Sequence, residues 1–396
     1  MIDIPDFAII GSGILGLSIG NSLIKKFPSS KVTVYEKESE IGLHASGRNS
    51  GVLHAGFYYT PDSLKAKFCS QGNLEIRKLI KKHNIPILET GKVVVAKNPD
   101  EVSRLEILFK RGLENGVSLE LLDAHQLRKI EPLASTYKNF LWSPNTAVSY
   151  PVQVLHALRK DFEQSGGKIE THADVKVNSE GKINVNGKII QPKLTFNCAG
   201  TSALDIAQKL GCGRNYSQLP VLGRYRITSK INLPLKTLIY PVPNPSNPFL
   251  GVHFTVTPDG SVKIGPTAIP VVGRDQYSFF TRFTLRDLAS SAKGIFTLFT
   301  NSPKNLTKLA FLEYPKLSDK RLISEGKKLV PTTPKSEFWK PKQPGIRAQL
   351  INLNTKEFEQ DFVIEKSEGF VHVLNAVSPG WTAAIPFAEW LVDQVN

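Results

Sequence analysis

Cysteine is scarce in this chain: Cys69, Cys198 and Cys212 are the only three in 396 residues, widely spaced and with no CxxC pair. That scarcity excludes a disulfide framework and a structural zinc site, so no metal is expected and a reducing compartment is. Any unbroken apolar run of about 18 residues, the length a membrane span requires, is also lacking. The apolar N-terminus has no basic segment ahead of it and is interrupted by Gly11, Ser12, Gly13 and Gly16, so it reads as strand, turn and helix start rather than as a signal peptide. Acidic residues are in deficit: 35 Asp+Glu against 50 Lys+Arg leave a formal charge of +15. Such a field favours anionic lipid, nucleic acid or an acidic cofactor or substrate without choosing among them. The most lopsided stretch, Lys304 to Lys342, carries ten basic and four acidic residues and reads as solvated surface. The expected location is the cytoplasm, with peripheral contact at the inner face of the membrane as the open alternative.

What is present is ordinary for a globular protein. Hydrophobic residues at 41%, aromatics at 9% and charged residues at 21% exclude disorder, collagen and coiled coil for the whole chain. The length suggests roughly two or three structural units. The pattern predicts a strand over Asp6–Ile10, a helix from Gly13 to about Phe27 and a strand over Lys31–Glu36, a β-α-β opening. A Gly/Ser/His-rich passage from Ile41 to Pro61 follows, too long for a casual connector and therefore expected to carry function. Helices are expected over about Asp62–His83, Asp100–Asn115 and Pro151–Gln164, with a strand around Lys92–Ala96. Lys168–Asn197 reads as an antiparallel meander with turns at Glu180-Gly181 and Asn186-Gly187, and Pro220–Ala268 as further strands. Helical periodicity returns over Phe279–Lys328, and a final helix runs to Val395. The expected fold is α/β (α+β overall), a Rossmann-like cofactor domain interleaved with an antiparallel-sheet substrate domain. Residues 1–85, 145–215 and 343–396 are assigned to the first and 86–144 and 216–342 to the second.

Four motifs point to a dinucleotide. Gly11-Ser12-Gly13-Ile14-Leu15-Gly16 follows an apolar strand and opens a helix, and Glu36 stands at the end of the next strand, 20 residues after Gly16. Gly11 permits the tight turn, Gly13 lets backbone approach a pyrophosphate, Gly16 allows close helix–strand packing, and Ile14 starts the helix whose N–H groups face the phosphates. Glu36 suits ribose hydroxyls and repels a 2′-phosphate, which favours FAD or NAD over NADP; Lys37 follows it. The passage from Gly42 to Tyr59 supplies small residues to wrap a pyrophosphate and slide past a flat ring, with cofactor contacts assigned to His44, Ser46, Gly47, Arg48, Asn49, Ser50, Gly51 and Val52. Ala199 and Gly200, after the apolar strand Phe196-Asn197-Cys198, suit contact with the diphosphate end. Ser378, Pro379, Gly380 and Thr382 precede or open the last helix, whose N-terminus would stabilise negative charge on a reduced ring.

With these motifs the sequence resembles the FAD-dependent oxidoreductases of the D-amino-acid-oxidase-like superfamily, and within it the L-2-hydroxyglutarate dehydrogenase/oxidase group. The likeness is carried by HASGRNSGVLHAGFYYTPDSLKAKFC (His44–Cys69), FLGVHFTVTPDGSVKIGPTA (Phe249–Ala268), PGIRAQL (Pro344–Leu350) and LNAVSPGWTAAIPFAEW near the end. It implies noncovalent FAD, oxidation of a small 2-hydroxy acid to the 2-oxo acid by hydride transfer to flavin N5, and electrons passed to oxygen or quinone. Two departures stand out. Arg48 occupies a position where the closest hydroxyglutarate enzymes carry histidine, and Val221 and Leu222 replace a Phe and an Arg of the family pattern.

The chemistry asks for a base to remove the hydroxyl proton, and a histidine suits it. His54 in the loop and His253 in an apolar strand are the candidates. Arg347 is the expected carboxylate partner because a planar guanidinium makes paired bonds; Tyr58 and Tyr225 are assigned to substrate, and Tyr59 to packing. Alternation sets Arg224 and Arg226 opposite Tyr225, on the face of Leu222. The alternatives are an amino-acid or glycerol-3-phosphate oxidase or dehydrogenase, an inert flavin scaffold, and a nucleic-acid-binding flavoprotein such as a tRNA-modifying factor. The last is disfavoured by the lack of an aromatic-basic RNA motif, so no nucleic acid partner is expected.

Overall fold

The computed structural model describes residues 4–395 apart from 245, 246, 248, 279–282, 302–306, 308 and 309. Phe7–Ile10 and Val32–Tyr35 are each four buried residues in a row, the pattern of strands covered on both faces, and they pair in parallel across the helix Ile14–Lys26. Their other neighbours come from far along the chain. Leu194–Asn197 lies beside Phe7–Ile10, Phe370–Val373 beside that, and Lys168–Glu170 closes the far edge, all parallel; Ile364–Ser367 adds an antiparallel edge. The helices Ile14–Lys26, Leu64–Lys82 and Gly380–Asp393 cover this six-stranded sheet through Ile9, Ile19, Leu23, Phe68, Phe387 and Leu391.

The second layer is a ten-stranded, mostly antiparallel sheet. Two strands of 13 residues, Tyr216–Thr228 and Lys340–Asn352, pair along their length with a register shift between Gly223 and Tyr225. One side of the sheet is closed by Leu322, Ile323 and Trp339 against Phe254 and Ile264, another by Leu105 and Leu108 against Val94 and Tyr240.

The interleaved α/β architecture is therefore present, with two differences from the sequence reading. Of the meander expected over Lys168–Asn197, only Val175–Val177, Ile183–Val185 and Lys188–Ile190 form one; the flanking strands join the parallel sheet, where the mostly buried Leu194–Asn197 finds apolar cover. Lys340–Asn352 runs in the larger sheet although 343–396 was assigned to the cofactor domain, because its pairing partner is Tyr216–Thr228. In the Phe279–Lys328 region the described helices are Leu285–Asn301 and Asp319–Lys327. Phe279, Lys304 and Lys308 lie outside the described residues.

Candidate active site

The turn after the first strand is built by close approach. Gly11 has φ +101°, and a Cβ there would stand 2.6 Å from the Cys198 carbonyl oxygen; a Cβ on Gly16 would stand 2.0 Å from the Gly11 oxygen. Only glycine fits either position. The helix that follows has no cap from its own N-cap residue, Gly13, and no acid in its first turn, which leaves its positive end to groups brought by other segments or to an anion. Glu36 is buried and held in place: Oε2 accepts from Ser12 N at 3.0 Å and Ser12 Oγ at 2.5 Å, and Oε1 from Glu38 N.

The loop closes over this turn. Ser46 Oγ accepts from Ile14 N at 3.0 Å. His44 bridges Glu38 (2.8 Å) and the Tyr277 hydroxyl (2.6 Å), Arg48 lies 4.0 Å over the Tyr277 ring, and Lys37 pairs with Asp275 at 2.7 Å. Asp275 and Tyr277 belong to a segment in which the sequence carried no motif. Gly47 and Gly51 are set back from the cavity surface: a Cβ on Gly47 would meet Gly42 oxygen at 2.0 Å and one on Gly51 Ser149 oxygen at 2.1 Å, so both allow close backbone packing. The Asn49 side chain is largely spent inside the loop, donating to Ser46 oxygen and accepting from Gly51 N.

A second helix N-terminus opens on the same cavity. Gly380–Asp393 also begins without a side-chain cap or first-turn acid, with Ser378, Pro379 and Gly380 on the cavity wall. From its first turn Thr382 Oγ1 donates to Val52 oxygen and accepts from His54 N, both at 3.2 Å, and so fixes the backbone that carries His54. Asn73 holds the other side by donating to the His54 carbonyl at 3.1 Å. Tyr59, expected only to pack, lines the cavity and hydrogen-bonds Ser378.

At this end of the cavity stand His54, His253, Tyr58, Tyr225, Tyr240, Phe249 and Arg347. His253 Nδ1 donates to the Gly251 carbonyl at 2.8 Å, which leaves Nε2 as the bare acceptor of the neutral ring. Its ring stacks on Tyr240 at 3.8 Å. His54 Nδ1 is buried and without a partner, so the tautomer with Nε2–H avoids an orphaned donor. Burial pushes the His253 pKa down to about 3, with help from the Lys92 and Arg347 charges, and pushes His54 well below its ordinary 6.5. Both rings are therefore neutral at physiological pH. The sign for stability follows: between 6.5 and the depressed native values the unfolded chain binds protons that the native protein does not, so stability falls as pH drops through that window. Thermal melts from pH 7.5 to 5 are expected to show a falling Tm, with a smaller fall in His253→Gln.

Arg347, half-buried on Lys340–Asn352, has its Nη1 buried with no partner, and the Tyr58 hydroxyl is likewise unpartnered. Gly223 and Tyr225 line the cavity while Leu222 does not. Arg226 is tied to Asp319 at 2.8 Å and Arg224 to the Leu317 carbonyl, so neither replaces an arginine at Leu222. Tyr240 and Lys92 were missed because nothing near them in sequence marks them; their neighbours are brought by other strands.

The cavity measures about 1050 Å³ and is lined by every other assigned cofactor and substrate residue. Two helix N-termini, a buried acid at the end of the second strand and a pair of neutral histidines beside the unpartnered Nη1 of Arg347 define a dinucleotide-dependent oxidoreductase. The family model described as FAD dependent oxidoreductase matches residues 6–394, and the chain belongs to that family, with FAD as its cofactor. It is 34% identical to the mitochondrial L-2-hydroxyglutarate dehydrogenase of Caenorhabditis elegans, covering 99% of this chain and 94% of the relative. It is also 34% identical to L-2-hydroxyglutarate dehydrogenase of Escherichia coli strain K12, over 99% and 93%. Among solved structures, FAD-bound L-alpha-glycerophosphate oxidase from Mycoplasma pneumoniae superposes with TM-score 0.78 at 22% identity, over 100% of this chain and 95% of that one. Glycine oxidase from Geobacillus kaustophilus does so with TM-score 0.70 at 16%, over 99% and 94%.

Proposed function

We propose that this protein oxidises L-2-hydroxyglutarate to 2-oxoglutarate. The observation that carries the reading is the buried, unpartnered Nη1 of Arg347 sharing a chamber with the bare Nε2 of His253. Near-full-length similarity to dehydrogenases named for this substrate supports it. Gly11, Gly13, Ile14 and Gly16 with Ser46, Ala199 and Gly200 would hold the diphosphate of FAD, Glu36 its ribose, and the helix start at Ser378–Gly380 its ring. When bound, the flavin supplies the hydride acceptor. Arg347 pairs with the substrate's 1-carboxylate and sets the Cα in place, with Tyr58 and Tyr225 bounding it. His253 Nε2 takes the hydroxyl proton, and His54 Nε2–H donates to the same oxygen as it becomes a carbonyl. Anaerobic addition of the L substrate to the yellow protein is expected to bleach the flavin, and the D enantiomer to leave it oxidised. Bleaching by an amino acid or glycerol 3-phosphate instead would replace this substrate with theirs.

The electrons pass to oxygen or to quinone, and a contact with anionic membrane completes the second route. No helix among the described residues can cross a bilayer. The helix Leu285–Asn301 nonetheless exposes Leu285, Leu288, Ile295, Phe296 and Phe299 while Ser291, Gly294 and Leu298 face inward. An outward apolar stripe beside exposed Lys293 suits the interfacial plane of an anionic bilayer. The protein is expected to sediment with anionic phospholipid vesicles, and Phe296→Ser with Phe299→Ser to weaken that about tenfold; an unbound wild type ends the idea.

A further inference from the structure

Lys92 opens the strand Lys92–Val95 and is fully buried, where a cation without a partner is costly. Its Nζ makes no hydrogen bond. It rests among three aromatic faces instead, 4.5 Å from the ring centre of Phe57, 4.7 Å from Tyr58 and 4.9 Å from Tyr240. Such a cage suits an ammonium ion. Tyr58 and Tyr240 also line the reaction chamber, and Tyr240 is the ring on which His253 stacks. The titratable groups facing Lys92 are Cys69 from the helix Leu64–Lys82, His54 from the loop, His253 from the strand His253–Val256, and the two tyrosines. Among the described residues, no carboxylate acts on its charge. Lys65, another buried lysine of the cavity wall, differs in that Asp361 and Glu359 answer it.

We propose that Lys92 is a specificity residue for a doubly charged substrate: one ring's thickness behind the chamber wall, it is the second positive charge, beside Arg347, that a dicarboxylate meets. The inference rests on the substrate reading above. The cost of the buried cation is then answered only when the dianion enters. Burial brings the Lys92 pKa down to about 7, so most of the population is neutral above that pH and binding of a dianion draws a proton back. Affinity for a dicarboxylate therefore falls as pH rises above about 7. Through roughly 8 Å at an effective dielectric of about 20, one charge changes affinity about thirtyfold.

The test compares wild-type and Lys92→Met holoenzymes in anaerobic flavin titrations with L-2-hydroxyglutarate and with L-2-hydroxyglutaramate, which keeps the length and loses one charge. At pH 6, where Lys92 is largely charged, the substitution is expected to raise Kd about thirtyfold for the dicarboxylate and no more than about fivefold for the amide, with Tm unchanged or higher because a lone buried charge is gone. A purely structural lysine would lower Tm and leave the ratio of the two Kd values where it was; an unchanged ratio overturns the proposal. If Lys92→Met does not fold, calorimetry of 2-oxoglutarate binding to the wild type at pH 8 in two buffers of different ionisation enthalpy decides: net proton uptake supports the role, none refutes it. A wild type that the L substrate fails to bleach would instead fell the substrate reading, a distinct result.

Discussion

His253→Gln is expected to slow anaerobic flavin bleaching by the L substrate about a thousandfold while the protein stays yellow. Three observations set the size and the direction. The imidazole is anchored through Nδ1–H to the Gly251 carbonyl, so the atom facing the chamber is a bare nitrogen that accepts a proton. Glutamine keeps the hydrogen-bonding volume but offers no comparable base, and positioned proton transfer typically contributes 10²- to 10⁴-fold. The ring stacks on Tyr240 and makes its hydrogen bond to Gly251, neither of which is assigned to FAD, so cofactor retention is expected to be spared. Since the free-enzyme ring is neutral far below its ordinary 6.5, kcat/KM of the wild type is expected to show no inflection near that pH from this group. His54→Phe in parallel decides the assignment: it removes a donor and is expected to cost about tenfold. If it proves the more damaging of the two, the roles are exchanged.

Arg347→Ala should raise the substrate's Kd by about a hundredfold or more, and Arg347→Lys by about tenfold. Removing one member of a buried hydrogen-bonded charge pair costs about 2–5 kcal/mol, and lysine restores the charge without the two-pronged geometry. The accompanying stability change has an unusual sign. In the free protein Nη1 has no partner and burial works against the charge, so alanine relieves a desolvated cation and Tm is expected to hold or rise. A fall in Tm together with an unchanged Kd would make Arg347 a structural residue. Stopped-flow reduction across substrate concentrations separates the two parameters.

The cofactor half of the site was legible because its chemistry is local. The glycines from Gly11 to Gly16, the acid at Glu36 and the turn at Ser378–Gly380 each sit in one short stretch whose backbone demands can be read directly. On the other side of the cavity, the wall was legible only where a motif happened to include it, as at His54, His253 and Arg347, which the fold brings to one chamber. Tyr240, Lys92 and Tyr277 escaped because their roles arise between elements: Lys92 meets its cage through strands and a loop that the sequence separates by scores of residues. Gly47 and Gly51 mark a limit of another kind, since a glycine needed for backbone contact in a binding loop looks the same in sequence as one that touches a ligand. Short elements also stayed hidden. Ala124–Ile130 carries a capping box at Asp123 and Gln126, a usable signal, but only seven residues of helix to attach it to. Leu222 shows how far alternation reaches: it separated Leu222 from Tyr225 correctly, and the cavity takes the Tyr225 side.

The order of strands in the smaller sheet has a consequence for how the molecule comes into being. Phe7–Ile10 is synthesised well before its second flanking strand, Leu194–Asn197, whose own outer neighbour is Phe370–Val373, and the helix that pins His54 follows all of them. At about 5–20 residues per second this separates the first strand from its completed surroundings by tens of seconds of synthesis. Contacts so distant along the chain also fold slowly once available. Capture of FAD thus belongs to the end of biogenesis, and a nascent chain halted before Gly380 would present the dinucleotide turn without the helix that completes the cavity.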